Sequence, residues 1–281
     1  MIESDVEMND KSVDIKRFKS LARKVRLSVL DMMRRTKSPH IGPSFSIVEI
    51  LVALYFKILN ISPTNPRDSK RDKFILSKGH ACPALYAVLK ERGFLRNRQL
   101  KKFAVDGGCL QHHPEYDLGC GIELSTGSLG HGLSVGGGMA LAGKGKRKGA
   151  KTFVLLGDGE LNEGAVWEAA LFAGHHKLNN LIAIIDHNKM QALGHMKDII
   201  DLDPLKEKWM AFGWHAQEIN GHDFGQIFKA FDSLSSSKPN AIILHTVKGK
   251  GVSFMENDLL WHYRYPHEGD EYEKALKELA E

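Results

Sequence analysis

Two stretches of this chain carry residue types that can do chemistry together. Gly157-Asp158-Gly159 follows the short apolar run Thr152 to Leu156, and Asn188 follows a second such run, Leu181 to Asp186. One carboxylate and one amide carbonyl make a poor metal site alone, but they suit Mg²⁺ that also takes oxygens from a diphosphate and from water. Glycines beside Asp158 let backbone N–H groups approach a phosphate while the carboxylate projects past the strand end. The pattern predicts a diphosphate group held through a bridging metal.

Imidazoles form a second set. His40 lies in the loop Ser38-Pro39-His40-Ile41-Gly42-Pro43, where a lone histidine reads as a surface residue or as a functional one. His80 closes Ser77-Lys78-Gly79-His80 between a short strand and a helix, which presents its ring at a helix N-terminus, as a cap or at an anion site. Cys109, His112, His113 and Cys120 have zinc-ligand types, but Cys-x2-His-His-x6-Cys lacks paired Cys-x2-Cys knuckles and fits no ordinary zinc frame. Gly127, Gly130 and Gly132 precede a helix as in a dinucleotide loop. No clear strand before them and no acidic residue at the usual offset complete that pattern. Trp261-His262 by itself reads as packing.

The elements that must position these residues follow from periodicity. Continuous apolar runs suit strands buried on both faces of a parallel sheet. Val166, Ala169, Ala170 and Ala173 recur at helical spacing between two of them, making a right-handed βαβ crossover that sets the strand ends carrying Asp158 and Asn188 side by side. Open α/β sheets bind ligands at that rim. Further strands are predicted at Phe74 to Leu76, Trp214 to Ile219 and Ala241 to His245. Helices are predicted from Ile15 to about Arg35, across Ile47 to Ile58 behind a Ser46/Glu49 capping box, from Pro83 to about Arg92, from Leu133 to Leu141, over Phe224 to Leu234, and from Tyr272 onward. The fold class is α/β, a parallel β-sheet flanked by helices on both faces. Residues 13–281 read as one domain, and residues 1–12, polar and acidic-rich, as a disordered tail.

Composition narrows the function. A chain of 281 residues with 42% hydrophobic content can bury a sizeable core, and its formal charge of +5 is mildly basic. No aromatic-basic interleaving or nucleic-acid motif accompanies that charge, so phosphorylated ligands explain it more simply. The basic run Lys144 to Lys151 reads as a solvated connector. Three scattered cysteines are too few for a disulfide framework, which points to a reducing compartment, and no apolar run or leader layout predicts a membrane segment, so a cytoplasmic protein is expected.

The motifs together resemble the N-terminal region of transketolases, in order and from about Phe18 to His262: Ser-Lys-Gly-His at Ser77, His-Pro-Glu at His113, Ser-Thr-Gly-Ser-Leu-Gly-His-Gly at Ser125, Gly-Asp-Gly-Glu-Leu-Asn-Glu-Gly at Gly157, and Asn188. The resemblance implies a thiamine diphosphate-binding fold of the diphosphate type. Asp158, Asn188 and the Met190 carbonyl would hold Mg²⁺, with Ca²⁺ or Mn²⁺ as substitutes, and Gly157, Gly159, Glu160 and His80 would surround the diphosphate. Gly127 and Leu129 would lie over the cofactor rings. His40, His113 and His262 would line the substrate channel as the catalytic imidazoles, with His262 also reaching the diphosphate. Glu163 would face a partner chain. Ser128 and His131 depart from the family's more usual Pro and Gln, and His187 stands where Asn or Asp is usual.

The chain stops before the region in which transketolases carry the glutamate that activates the aminopyrimidine. The resemblance therefore implies half of a split transketolase, paired with a separate pyrimidine-domain polypeptide in an α2β2 assembly. It would move a two-carbon ketol unit from a ketose phosphate to an aldose phosphate, as in the pentose phosphate pathway. Two rivals share the cofactor motif: the α subunit of a 2-oxoacid dehydrogenase, which would lack the Ser-Lys-Gly-His and His-Pro-Glu pair, and a non-catalytic thiamine diphosphate-binding protein.

Overall fold

A computed structural model describes residues 3–146 and 149–280. Its centre is a five-stranded, all-parallel sheet in the order β1-β2-β3-β5-β4, with β1 Lys73–Leu76, β2 Thr152–Gly157, β3 Leu181–His187, β4 His215–Asn220 and β5 Asn240–His245. Successive side chains on a strand face opposite sides, so each apolar run feeds two cores. Phe153, Leu155, Ile182, Ile184, Ile242 and Leu244 pack into one hydrophobic cluster, whereas Val154, Leu156, Ala183, Ile185, Ala241 and Ile243 pack into the other. This two-sided burial is why β2 and β3 read as unbroken apolar stretches.

Eleven α-helices are present among the described residues. The first face is covered by α1 (Glu3–Thr36), α2 (Ile41–Phe45), α3 (Val48–Ala53), α4 (Cys82–Arg92) and the neighbouring α5 (Asn97–Leu100). The second is covered by α6 (Gly132–Lys146), α7 (Gly164–His175), α8 (Met196–Ile199) and α9 (Leu205–Ala211). Two later helices, α10 (Phe224–Asp232) and α11 (Glu271–Ala280), return to the first face. Among the described residues no helix is long and apolar enough to cross a membrane.

Two local expectations need revision. Helix α1 spans Glu3–Thr36, and Met1 and Ile2 lie outside the described residues. The basic run is not wholly a connector, since α6 extends to Lys146, and Arg147 and Lys148 are outside the described residues. The Ser46/Glu49 capping box does not form. Ile47 is the N-cap of α3, the Ser46 hydroxyl donates to the Pro43 carbonyl and to Asp186, and Glu49 is drawn inward by charge. There the Arg26 guanidinium grips Glu49 with two hydrogen bonds of 2.7 and 2.8 Å, while His222 Nδ1 lies 2.9 Å from the same carboxylate. His222 Nε2 accepts from the Val247 N–H, and Arg26 Nε donates to the Lys250 carbonyl. This buried network ties α1 and α3 to the 247–251 turn, which contributes Lys248 to the site.

Candidate functional site

The strand ends converge on a cleft of about 410 Å³. β1 runs into Ser77-Lys78-Gly79-His80, β2 into Asp158, β3 into Asn188, and β5 into the turn holding Lys248. Asp158, 2% exposed, accepts the Gly159 N–H at 2.8 Å and the Lys189 N–H at 2.6 Å. The second contact links the two strand ends directly. Lys189 adopts left-handed backbone (φ 63°), unusual for a non-glycine residue, and turns the chain between Asn188 and Met190. Asn188 Oδ1 accepts the Met190 N–H at 3.1 Å, and its amide nitrogen donates to Asp186 at 3.0 Å, which fixes the side chain.

Burial and the neighbouring Asp186 carboxylate push the Asp158 acid up to about 7, and among the described residues Asp158 makes no ion pair. A buried carboxylate with no ion pair of its own, beside an amide oxygen and the Met190 carbonyl that Lys248 Nζ approaches at 3.5 Å, is the kind of oxygen set a hard divalent cation takes. The residues present therefore fit a metal-bridged diphosphate. Asp186 itself is held apart from that role. Burial pushes its acid upward, but the Lys78 ammonium at 2.6 Å and the Thr246 and Ser46 hydroxyls keep it below the usual carboxylate range.

The imidazoles converge as well. The His40, His80 and His262 rings lie 5.2 to 5.5 Å apart, and all three line the cleft with His113. His40 is held in left-handed backbone (φ 77°), and its N–H donates to the His262 carbonyl at 3.0 Å, so the first loop and the late Trp261-His262 turn are stitched together. Burial, with the neighbouring lysines and histidines adding to it, lowers His40 to about 4, His262 to about 3 and His80 well below the ordinary histidine value. These rings are neutral at pH 7 and act as hydrogen-bonding groups, not as cations. Lys248 Nζ sits 2.9 Å from His262 Nδ1; with the ammonium donating, the ring proton belongs on Nε2.

His113 is set by a loop braced from α4. The Tyr86 hydroxyl donates to the Gln111 and His113 carbonyls at 3.1 Å, and the Cys82 thiol to the His112 carbonyl at 3.1 Å. Its ring lies against Gly127, where a Cβ would come within 3.1 Å of it and where φ is 152°. Only glycine fits this crossing, and Leu129 continues the loop along the cleft.

Every residue expected at the site from sequence lines this cleft except Glu163. Glu163 is exposed at the start of α7, beside Gly130. Two expectations change in kind. The Gly157 N–H donates to Glu160 and the Gly159 N–H to Asp158, so those donors are already engaged within the chain. Glu160, 2% exposed, accepts from the Ser77 hydroxyl and from the Gly130 and Gly157 N–H groups. It thereby pins three cleft segments together. Lys78 and Lys248, both nearly fully buried, are given no site role by the sequence reading; the signal available is lysine beside glycine at a strand exit. His187 is buried behind the ligand set, with Nδ1 unpartnered among the described residues.

A parallel α/β sheet presenting a carboxylate, an amide and a carbonyl at adjacent strand ends defines a metal-and-diphosphate-binding domain. Residues 18–264 match the family described as "Transketolase, thiamine diphosphate binding domain". An apulose-4-phosphate transketolase subunit from Phocaeicola vulgatus is 42% identical over 260 residues, covering 92% of each chain. A 6-deoxy-6-sulfo-D-fructose transketolase subunit from a Clostridium species is 41% identical over 257 residues, covering 91% of this chain and 92% of that one. The crystal structure of Campylobacter jejuni transketolase superposes with a TM-score of 0.86 at 32% identity, covering 94% of this chain but 42% of that one. The chain thus spans about two fifths of that transketolase and nearly the whole length of the subunit-type relatives. It belongs to the transketolase family, as the thiamine diphosphate-binding part, with thiamine diphosphate and a divalent metal as its cofactors.

Proposed function

We propose that this chain is the diphosphate-binding subunit of a two-subunit transketolase, completed by a second polypeptide that brings the pyrimidine half of each active site in an α2β2 assembly. The observation that carries the reading is the Asp158–Lys189–Asn188 linkage at the rim of a cleft walled by four neutral imidazoles. Asp158, the Asn188 oxygen and the Met190 carbonyl would hold the metal, and His80 would meet the diphosphate. Bound thiamine diphosphate supplies the electron sink that lets a ketose lose its two-carbon ketol unit to an aldose.

The chain's own residues position and desolvate. Lys78 neutralises Asp186 and thereby leaves Asp158 as the carboxylate free for the metal. Lys248 orients His262 so that its Nε2–H points a neutral donor at a sugar hydroxyl, and His40 and His113 offer further hydrogen bonds without the like-charge repulsion that protonated rings would create. Glu163, exposed at the domain surface, is proposed to face the partner. Two relatives above 40% identity are named for a phosphorylated and a sulfonated ketose, which supports a sugar with an anionic far end as the substrate class.

The test is to purify the native complex and assay it with anionic ketose donors and aldose acceptors. Ketol transfer that requires both chains is expected. Oxidative decarboxylation of a 2-oxoacid would replace this reading with the dehydrogenase one, and a complex that retains the cofactor but is inert with every donor would favour a binding protein.

A further inference from the structure

We infer that Cys109 and Cys120 are a reversible disulfide pair that staples the loop carrying His113. Both thiols are free in the structure, and both lie on one side-chain amide. Gln99 Oε1 accepts the Arg96 N–H at 2.9 Å, which aims Nε2 at Cys109 Sγ, 3.9 Å away, and at Cys120 Sγ, 3.5 Å away. The two sulfurs can therefore be no farther apart than those two contacts laid end to end. Isolated β-bridges, Phe103 to Leu110 and Asp117 to Ile122, bring both ends of the loop to this neck. Gly107 and Gly121, close to the two cysteines in sequence, turn the chain in left-handed backbone that glycine adopts without strain.

A zinc site is the competing use of these residues. Among the described residues no group of three or more His, Cys, Asp or Glu side chains is arranged to hold a metal, so two sulfurs remain without a third and fourth ligand. Redox chemistry needs only two.

The roles of the thiols differ by environment. Cys109 is exposed, whereas Cys120 is half-buried and its thiol is pushed up to about 12 by burial and by a hydrogen bond to Asp117. Cys109 is accordingly the sulfur that meets a peroxide first. Its thiolate attacks one peroxide oxygen and the O–O bond breaks, giving a sulfenic acid and hydroxide. Cys120 then gives up its thiol proton and attacks the sulfenic sulfur; the S–S bond forms and that proton leaves with the sulfenic oxygen as water. Two thiols lose two electrons in all, and one peroxide becomes two waters. A dithiol reverses the sequence. Because the stapled segment includes His113, oxidation would restrain a cleft residue; that consequence rests on the function proposed above, whereas the disulfide does not.

The experiment treats the full chain with hydrogen peroxide, then maps thiols by alkylation and mass spectrometry. A Cys109–Cys120 cross-linked peptide pair in monomeric protein is expected, reversed by dithiothreitol, with Cys82 still reduced. Cys120→Ser should leave a sulfenic acid on Cys109 that dimedone captures. Hydrogen exchange over residues 110–116 should slow by about tenfold on oxidation. Sulfinic acid on Cys109 with Cys120 still reduced, a bridge between two copies, or unchanged exchange in cross-linked protein would each overturn the inference.

Discussion

Replacing Glu49 with glutamine tests the network that holds the Lys248 turn. The carboxylate is 7% exposed and carries a two-pronged Arg26 contact and the His222 ring. Burial alone would raise its acid, yet Arg26 and His222 hold it at about 2 against an ordinary 4.5. At ~1.4 kcal/mol per unit, that difference is worth about 3 kcal/mol at pH 7. The sign follows from the depressed folded value. The stability is fully present above the unfolded value near 4.5 and is lost as pH falls toward 2, so about half of it is gone by pH 3. Glu49→Gln removes the charge and leaves the Arg26 guanidinium buried and unpaired, a loss of roughly 3–5 kcal/mol. Urea unfolding of both proteins at pH 7 and pH 3 measures it. The expected gap is about 3 kcal/mol or more at neutral pH, shrinking by roughly half at pH 3. A gap below about 1 kcal/mol with no pH dependence, the behaviour of an exposed pair, would refute the reasoning.

Other outcomes follow from the same geometry. Asp158→Asn should abolish magnesium-dependent thiamine diphosphate binding in calorimetry while leaving thermal stability unchanged or higher, because the acid it replaces is buried without an ion pair among the described residues and the amide oxygen can keep its backbone contacts. Lys248→Met should raise the His262 value above about 3, as read by NMR titration of the ring, since the neighbouring ammonium contributes to depressing it after burial. Tyr86→Phe removes the donor to two carbonyls of the His113 loop and should cost about 1 kcal/mol of stability and raise KM for the sugar more than it lowers kcat.

What can be read from the chain divides along a physical line. The strands and the Asp158–Asn188 pair are legible because each is set by local pattern: apolar runs bounded by glycine or by polar strand exits, and one crossover that makes neighbours of two strand ends. The Ser46/Glu49 capping box misleads because a distant arginine and histidine outcompete a local cap; Arg26 and His222 lie far from Glu49 in sequence. Lys78 and Lys248 escape notice for the same reason. A buried lysine is legible only through its counter-charge, and Asp186 reaches Lys78 from another strand. Glu160 is expected to face the ligand, but its oxygens are claimed by Ser77, Gly130 and Gly157, contacts that no spacing rule reveals.

The functional reading stands or falls on whether Asp158, Asn188 and the Met190 carbonyl share one divalent ion. Anomalous diffraction from crystals grown with Mn²⁺ and thiamine diphosphate addresses it directly. A single peak about 2.1–2.2 Å from those three oxygens is the predicted result, whereas a peak elsewhere in the cleft, or cofactor bound with no metal at these residues, would contradict it.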